Sequence, residues 1–532
     1  MTISTGEATL RLLGRYGVDT VFGIPGVHTL ELYRGLGEGS GIRHVQARNE
    51  MGAGFMADGY ARATGRPGVV LTISGPGVTN ATTALGQAYA DSMPLLLISA
   101  DATSRSLGKG WGLLHEVTDL NAVTRPLTAL SALAREPEDV PDLLAQAFTI
   151  FASERPRPVH IAIPEDILAR HVEEVSWHPV TVPDRPCADP EAIGRAASLL
   201  RDAVNPVVMV GGGAIGADVA TIAERLGSIV VSSSAGKGVV PDTHPFSVSC
   251  AIGKPDVHRV IADADAILAI GTELSETDSF IPELPIDAPI VRIDIDGRKM
   301  NDQYPAAIPI IADAAPACAA LIDALGPETR HTDAEARVAV IRDKIEKGLN
   351  PSEVQHARLL ETLREKLPAE TLVVGDTCQI VYTACFALPF DEPRLWHYAT
   401  GYCALGFAFP NAIGAKLGKP DAPVIALVGD GGLMFAVQEM VTAAELKLPI
   451  PMIVWENGGY KQIRDDMRSN NVPRVGVDGM NPDFPALAAA LHCKSAEPES
   501  MEAFVEAVEA AFKADRPTLI LVHEGAGWLQ PT

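Results

Sequence analysis

Short runs rich in Val and Ile recur along the chain at residues 68–73, 95–99, 207–210, 267–270, 290–293, 372–374, 424–428 and 450–455. Within these runs polar residues do not alternate with apolar ones, and Ala-rich amphipathic segments separate one run from the next. Strands that are apolar on both sides belong in parallel sheets with helices on each face. The predicted fold class is α/β, built from doubly wound parallel-sheet domains. Two stretches interrupt the pattern. Residues 176–190 (SWHPVTVPDRPCADP) are Pro-rich and aperiodic, as a linker is. Residues 326–353 are charged and bounded by Gly and Pro, a second connector with a helix inside it. Three domains follow, 1–175, 190–326 and 353–532. The outer two share one plan. In each, a helix ends at Gly-Arg-Pro or Gly-Lys-Pro, a buried strand runs into a Gly turn, and a second strand returns through a Pro. That plan predicts two similar α/β domains facing each other with a site between them.

Composition narrows the class. The chain has 532 residues, 47% hydrophobic and 21% charged, enough apolar content for large cores. A net charge of -24 with no Lys/Arg block argues against nucleic acid and anionic membrane surfaces as partners. No apolar run approaches about 18 residues, and the first residues lack a basic segment followed by an apolar one. Cysteines 187, 250, 318, 378, 385, 403 and 493 form no CxxC pair. Reduced thiols of a cytoplasmic enzyme are expected, with neither a disulfide frame nor a zinc site.

The strand at 424–428 stops at Gly429-Asp430-Gly431 and a helix follows. In open α/β sheets ligands sit beyond the carboxyl ends of strands, where free N–H groups and the helix dipole favour phosphate. An Asp in that turn repels phosphate unless a divalent cation lies between them. Mg²⁺ suits this arrangement, being held by one carboxylate and substrate phosphates. A further oxygen is expected at the end of the next strand, where Asn457 stands before Gly458-Gly459.

With Gly-Asp-Gly and Asn457 at consecutive strand ends, the chain resembles thiamine diphosphate enzymes of the acetolactate synthase/pyruvate decarboxylase-like superfamily. The resemblance runs over nearly the whole chain, in the order pyrimidine-binding, central Rossmann-like and diphosphate-binding domain. It implies thiamine diphosphate and Mg²⁺ as cofactors, with Asp430, Asn457 and the Gly459 carbonyl as metal ligands. Gly431 and Gly432 would lie against the diphosphate. Cys378, Gln379, Ala404, Leu405, Gly429 and Tyr460 would line the cofactor. Many members have Ser or Ala at Gly432 and Asn at Glu456, and neither change removes a ligand. The segment RNEMGAGFMADGYAR resembles the pyrimidine-domain signature, whose Glu is Glu50 here. A carboxylate hydrogen-bonded to the aminopyrimidine favours the imino tautomer, which can take a proton from the cofactor's reactive carbon. Members of the family place the site between subunits, so a homodimer or homotetramer is implied.

The central stretch VGGGAIGADVA contains G-x-G-x-x-G, but the following strand ends in serines where a dinucleotide site has an acid. In acetolactate synthases an Arg-containing segment for FAD follows the strand that here reads DAILAIGTELSETDS. Glu and Ser take its place, which argues against FAD.

Near relatives act on a 2-oxo acid and release CO₂, then either protonate the product carbon or join it to a second carbonyl. Leu405 replaces the Met of acetolactate synthases, His115 replaces a Gln, and Ala129 replaces a Lys. These changes favour a decarboxylase over the alternative, an acyloin-forming carboligase. The stretches GLLHEVTDLNAVTRPLTALS, RPRPVHIAIPEDIL, SAGKGVVPDTHP and NGGYKQIRDDM resemble those of 2-ketoarginine (5-guanidino-2-oxopentanoate) decarboxylases. A guanidinium tail calls for a carboxylate, and Asp465 and Asp466 follow the metal loop. His115 is a candidate proton donor. Val27 and His28 occupy a first-strand loop that lines the substrate side in relatives.

Overall fold

A computed structural model of the chain describes residues 2–37, 39–173 and 177–530. Met1, Val175, Ser176 and Thr532, where the expected domain and linker boundaries begin or end, lie outside the described residues. Each of the apolar runs forms a strand that is buried almost throughout. The first domain contains β1 (Thr2–Ser4), β2 (Thr20–Gly23), β3 (Arg43–Gln46), β4 (Gly68–Thr72), β5 (Leu95–Asp101), β6 (Leu130–Leu133), β7 (Val159–Pro164) and β8 (His171–Glu173). β1 and β8 form a small antiparallel pair, and the rest make a parallel sheet in the order β3-β2-β4-β5-β7-β6. The central domain contains β9 (Pro206–Val210), β10 (Ile229–Ser232), β11 (Ala266–Ile270), β12 (Ile290–Asp294) and β13 (Ile308–Ile311), ordered β10-β9-β11-β12-β13. The last domain contains β14 (Leu372–Gly375), β15 (Trp396–Tyr398), β16 (Val424–Gly429), β17 (Pro451–Glu456), β18 (Lys494–Ala496) and β19 (Thr518–His523), ordered β15-β14-β16-β17-β19-β18. Counted from its own first parallel strand, each outer sheet has the same strand order. Residues 177–189 form neither helix nor strand, and the helix Ala334–Lys347 lies within the second connector.

One apolar core serves both outer domains and includes Phe22, Phe55, Leu97, Phe407, Val428 and Leu521. At its centre the helices Glu50–Thr64 and Ala408–Gly418 cross with glycines at the points of closest approach. A Cβ on Gly59 would stand 2.0 Å from the Asn411 carbonyl oxygen, and one on Gly414 would stand 1.8 Å from that of Met56. Phe55 meets Phe407 edge-on at 5.4 Å between ring centres, a geometry that adds about 1 kcal/mol to simple burial. Asn411 donates to Asp58 at 2.9 Å across the same crossing. This packing fixes the Glu50 helix against the domain that contains Asp430.

Candidate functional site

In both outer domains the expected site residues lie just past the carboxyl ends of parallel strands, where open α/β sheets bind ligands. In the last domain, β16 ends at Gly429 and Asp430 opens the helix Asp430–Ala436. Its buried carboxylate collects backbone donors: Gly431 N at 2.9 Å on Oδ1, and Gly458 N and Gly459 N at 2.9 Å on Oδ2. Asn481 Nδ2 adds a fourth bond at 2.8 Å. Gly459 is left-handed, with φ +113°, and a Cβ there would stand 2.6 Å from the Val477 carbonyl oxygen. Only glycine lets the loop turn back onto Asp430 in this way. Beside it, Asn457 Oδ1 is buried and has no hydrogen-bond partner. An orphaned buried acceptor is costly. A cation would satisfy it.

The donor set of one carboxylate, one amide oxygen and the Gly459 carbonyl is hard oxygen, which fits Mg²⁺. No cluster of three or more His, Cys, Asp or Glu side chains able to hold a metal occurs among the described residues.

Around this loop the other expected residues converge. A Cβ on Gly431 would stand 2.8 Å from the Tyr460 ring, and one on Gly429 would stand 2.9 Å from Cys378 Cβ. Burial raises the Cys378 thiol, which therefore stays protonated. Gln379 opens the helix after β14 and accepts from Lys461 Nζ at 2.9 Å. Ala404 N donates to Gln87 of the first domain, and Leu405 is half-buried in the turn before the helix Ala408–Gly418. The sequence reading did not single out Asp376. It sits 3.2 Å from where a Gly432 Cβ would lie and accepts from Thr377 N, Gly406 N and Ala408 N. Burial pushes its carboxyl up to about 6, against the pull of those three N–H bonds. Its signal was a second Gly-Asp at a strand end, Gly375-Asp376.

Asp465 and Asp466 lie on the helix Lys461–Ser469, which buries no residue. Asp465 pairs with Lys461 at 3.2 Å and with Arg468. Asp466 accepts from Gln462 at 3.2 Å.

In the first domain, Glu50 begins its helix directly after the cap Asn49, whose side chain accepts from Met51 N. Glu50 is buried, and its Oε2 takes a 2.9 Å bond from Asn80 Nδ2. Burial and then the Glu50 charge raise the Tyr33 phenol. Ile73 stands where Cβ atoms on Gly26 and Gly77 would fall, at 2.3 and 2.9 Å, and Glu50 Oε1 lies 3.6 Å from the latter position.

The structure joins two residues that the sequence named separately. His28, buried after β2, and His115, after β5, face each other with ring centres 5.2 Å apart and planes at 50°. Both Nδ1 atoms are buried and unpartnered. His115 is left-handed at φ +61°, a conformation costing roughly 1–3 kcal/mol for a residue with a Cβ. Gly75 makes room, since a Cβ there would meet the His115 carbonyl at 2.5 Å. Val27 is exposed at the mouth of this cluster.

In the central domain, packing accounts for the glycine turn. A Cβ on Gly211 would stand 2.2 Å from Gly271 O, and one on Gly213 would stand 2.8 Å from Gly271 Cα. Glu273, Asp278 and Asp294 border the cleft in front of it together with Arg155, Arg185 and Arg394, and Glu273 is paired with Arg155.

Comparison with known proteins agrees along the chain. Residues 3–122 match the N-terminal TPP binding domain of thiamine pyrophosphate enzymes, 193–321 their central domain, and 376–522 their C-terminal TPP binding domain. The chain is 47% identical over 527 residues to "Probable 2-ketoarginine decarboxylase AruI" of Pseudomonas aeruginosa, covering 98% of this chain and 94% of the relative. It is 32% identical to "Acetolactate synthase isozyme 3 large subunit" of Escherichia coli, over 92% and 88% of the two chains. For "Acetolactate synthase large subunit" of Corynebacterium glutamicum the identity is 30%, over 97% and 86%. No helix among the described residues is long and apolar enough to cross a membrane. With all three domain types in family order over three doubly wound sheets, the chain belongs to the thiamine pyrophosphate enzymes.

Proposed function

We propose that this protein is a thiamine diphosphate- and Mg²⁺-dependent decarboxylase of a 2-oxo acid whose tail carries a guanidinium, as 2-ketoarginine does. The observation that carries the decarboxylase reading is the His28–His115 pair, one buried and one half-buried imidazole whose Nδ1 atoms are both shielded and unpartnered, in the same domain as Glu50. When bound, thiamine diphosphate supplies the carbon nucleophile and electron sink that decarboxylation needs. Asp430, Asn457 and the Gly459 carbonyl would hold Mg²⁺ against its diphosphate. Glu50, with Oε2 held by Asn80, keeps Oε1 to exchange a proton with the cofactor's pyrimidine ring. Nδ1 of His28 or His115 would serve as the proton donor to the carbon that has lost CO₂, the protonation that distinguishes a decarboxylase from a carboligase.

The substrate reading draws on the higher identity to the 2-ketoarginine decarboxylase than to the two acetolactate synthases. Asp465 is the better candidate for the guanidinium, since it already holds that of Arg468. Exposed Val27, Leu30, Trp111, Met434, Phe435 and Ile463 support a homodimer or homotetramer with sites between subunits. Seven unpaired cysteines suit the cytoplasm.

The test is to supply the Mg²⁺–thiamine diphosphate holoenzyme with 2-ketoarginine, pyruvate and benzoylformate and measure CO₂, aldehyde and acyloin. CO₂ and aldehyde in equal amounts, fastest from 2-ketoarginine, are expected. Acyloin as the sole product overturns the decarboxylase reading, and a preference for pyruvate overturns the substrate.

A further inference from the structure

Nine residues past Asp430, Glu439 opens the helix Glu439–Glu445 with a side chain wholly shielded from solvent. Its own helix takes one of its bonds, from Thr442 Oγ1 at 2.9 Å. The remaining bonds reach into the other outer domain. Arg48 N lies 3.1 and 3.2 Å from its two oxygens, and Asn49 N lies 3.0 Å from Oε1. These are the two backbone N–H groups immediately before Glu50. Gly52, in the first turn of the Glu50 helix, completes the fit. A Cβ there would stand 2.4 Å from Glu439 Oε1, so any larger residue would drive the carboxylate off. A second tie joins the same elements, Arg48 to Glu445 at 2.6 Å. Burial pushes the Glu439 carboxyl up to about 7, and its hydrogen bonds only partly oppose that shift. A neutral residue would avoid the cost of burying this charge. A carboxylate in this place therefore calls for a reason beyond packing.

We propose that Glu439 is a positioning residue for Glu50, clamping the start of the Glu50 helix to the helical run that leaves Asp430. The proposal rests on the reading of Glu50 as the residue that faces the pyrimidine ring of a cofactor bound between subunits. On this view Glu439 touches neither cofactor nor substrate. It sets the direction in which Glu50 points and leaves the Asp430 loop unchanged.

The experiment compares Glu439→Ala, Glu439→Gln and Glu50→Gln in the full-length protein. It measures the Kd for Mg²⁺–thiamine diphosphate, kcat and KM, and deuterium exchange at the cofactor's reactive carbon in the absence of substrate. Glu439→Ala should slow exchange and kcat together by 10- to 100-fold, with KM and the cofactor Kd within threefold of wild type. Glu439→Gln keeps the shape and one acceptor for Arg48 N and Asn49 N, and should restore both rates to within about fivefold. Gly52→Ala, which displaces the intact carboxylate, should reproduce the Glu439→Ala pattern. Wild-type exchange in Glu439→Ala while Glu50→Gln is inactive overturns the positioning role alone. Equal loss in the Ala and Gln variants, or a cofactor Kd weakened as much as kcat, also overturns it. Undiminished exchange in Glu50→Gln removes the reading of Glu50 itself, and the proposal falls with it.

Discussion

Replacing Gly414 by Ala sets two known effects against each other. Ala is the better helix former, worth about 1 kcal/mol in a helix interior. The new Cβ, however, would lie 1.8 Å from Met56 O, 2.6 Å from its carbonyl carbon and 2.9 Å from its Cα, all backbone of the Glu50 helix. Carbon contacts settle at roughly 3.5–4 Å, so the two helices must part by about 1.5 Å along a shared core. Overpacking costs about 1–3 kcal/mol, and backbone against backbone, with no side chain to rotate away, puts this site at the upper end. The net expectation is a loss of about 2 kcal/mol, a fall of roughly 4–8 °C in the melting midpoint. Gly194→Ala is the control, the same chemical change in the helix Pro190–Asp202 with nothing within 4 Å of the new methyl. It should raise the midpoint by about 2 °C. Calorimetry of both variants, compared by midpoint because three domains need not melt as one, decides the matter. A Gly414→Ala protein as stable as wild type would refute the packing argument.

Other expectations follow from single contacts. Glu439 ionises near 7 when folded and at 4.5 in its ordinary state, so the folded chain binds the extra proton between those values. Stability should therefore fall as pH rises from about 4.5 to 7, by about 3 kcal/mol at most. Glu439→Gln should lose that slope, and parallel stability–pH curves for the two proteins would count against it. Asn457→Ala deletes an acceptor that bonds to nothing. The apo protein should melt no lower than wild type, since the deletion relieves a buried unsatisfied acceptor, while Mg²⁺–thiamine diphosphate binding, followed by calorimetric titration, weakens about 10- to 100-fold. An unchanged Kd would remove Asn457 from the metal site. His28→Ala and His115→Ala should each slow aldehyde formation about 10²- to 10⁴-fold without altering cofactor affinity. If neither variant slows it, the proton comes from elsewhere.

Strands buried on both faces are apolar at most positions, so eight strands, enough to place all three sheets, could be read from continuous Val and Ile runs. Asp430 and Asn457 were legible for a similar reason, because each ends a strand and the two strands are neighbours. What stayed hidden depends on contacts far apart in the chain. Both His28 and His115 were named from sequence, but their meeting requires β2, β4 and β5 to lie side by side with Gly75 between. Asp376 carried a visible Gly-Asp signal, yet its meaning lies in N–H groups 30 and 32 residues away. The Glu439 carboxylate and the backbone it holds are 390 residues apart, and no local pattern announces such a pair.

The shared strand order of the outer sheets also has an evolutionary consequence. After the third parallel strand, one copy turns through Gly429-Asp430-Gly431 and the other through Ile73-Ser74-Gly75. The two turns differ by one acidic side chain, and on the proposed reading that difference would let one copy take a metal-bound anion and the other an uncharged ring. Neither copy is then a complete receptor. Loss of either half would then end the reaction, so the two would be retained together.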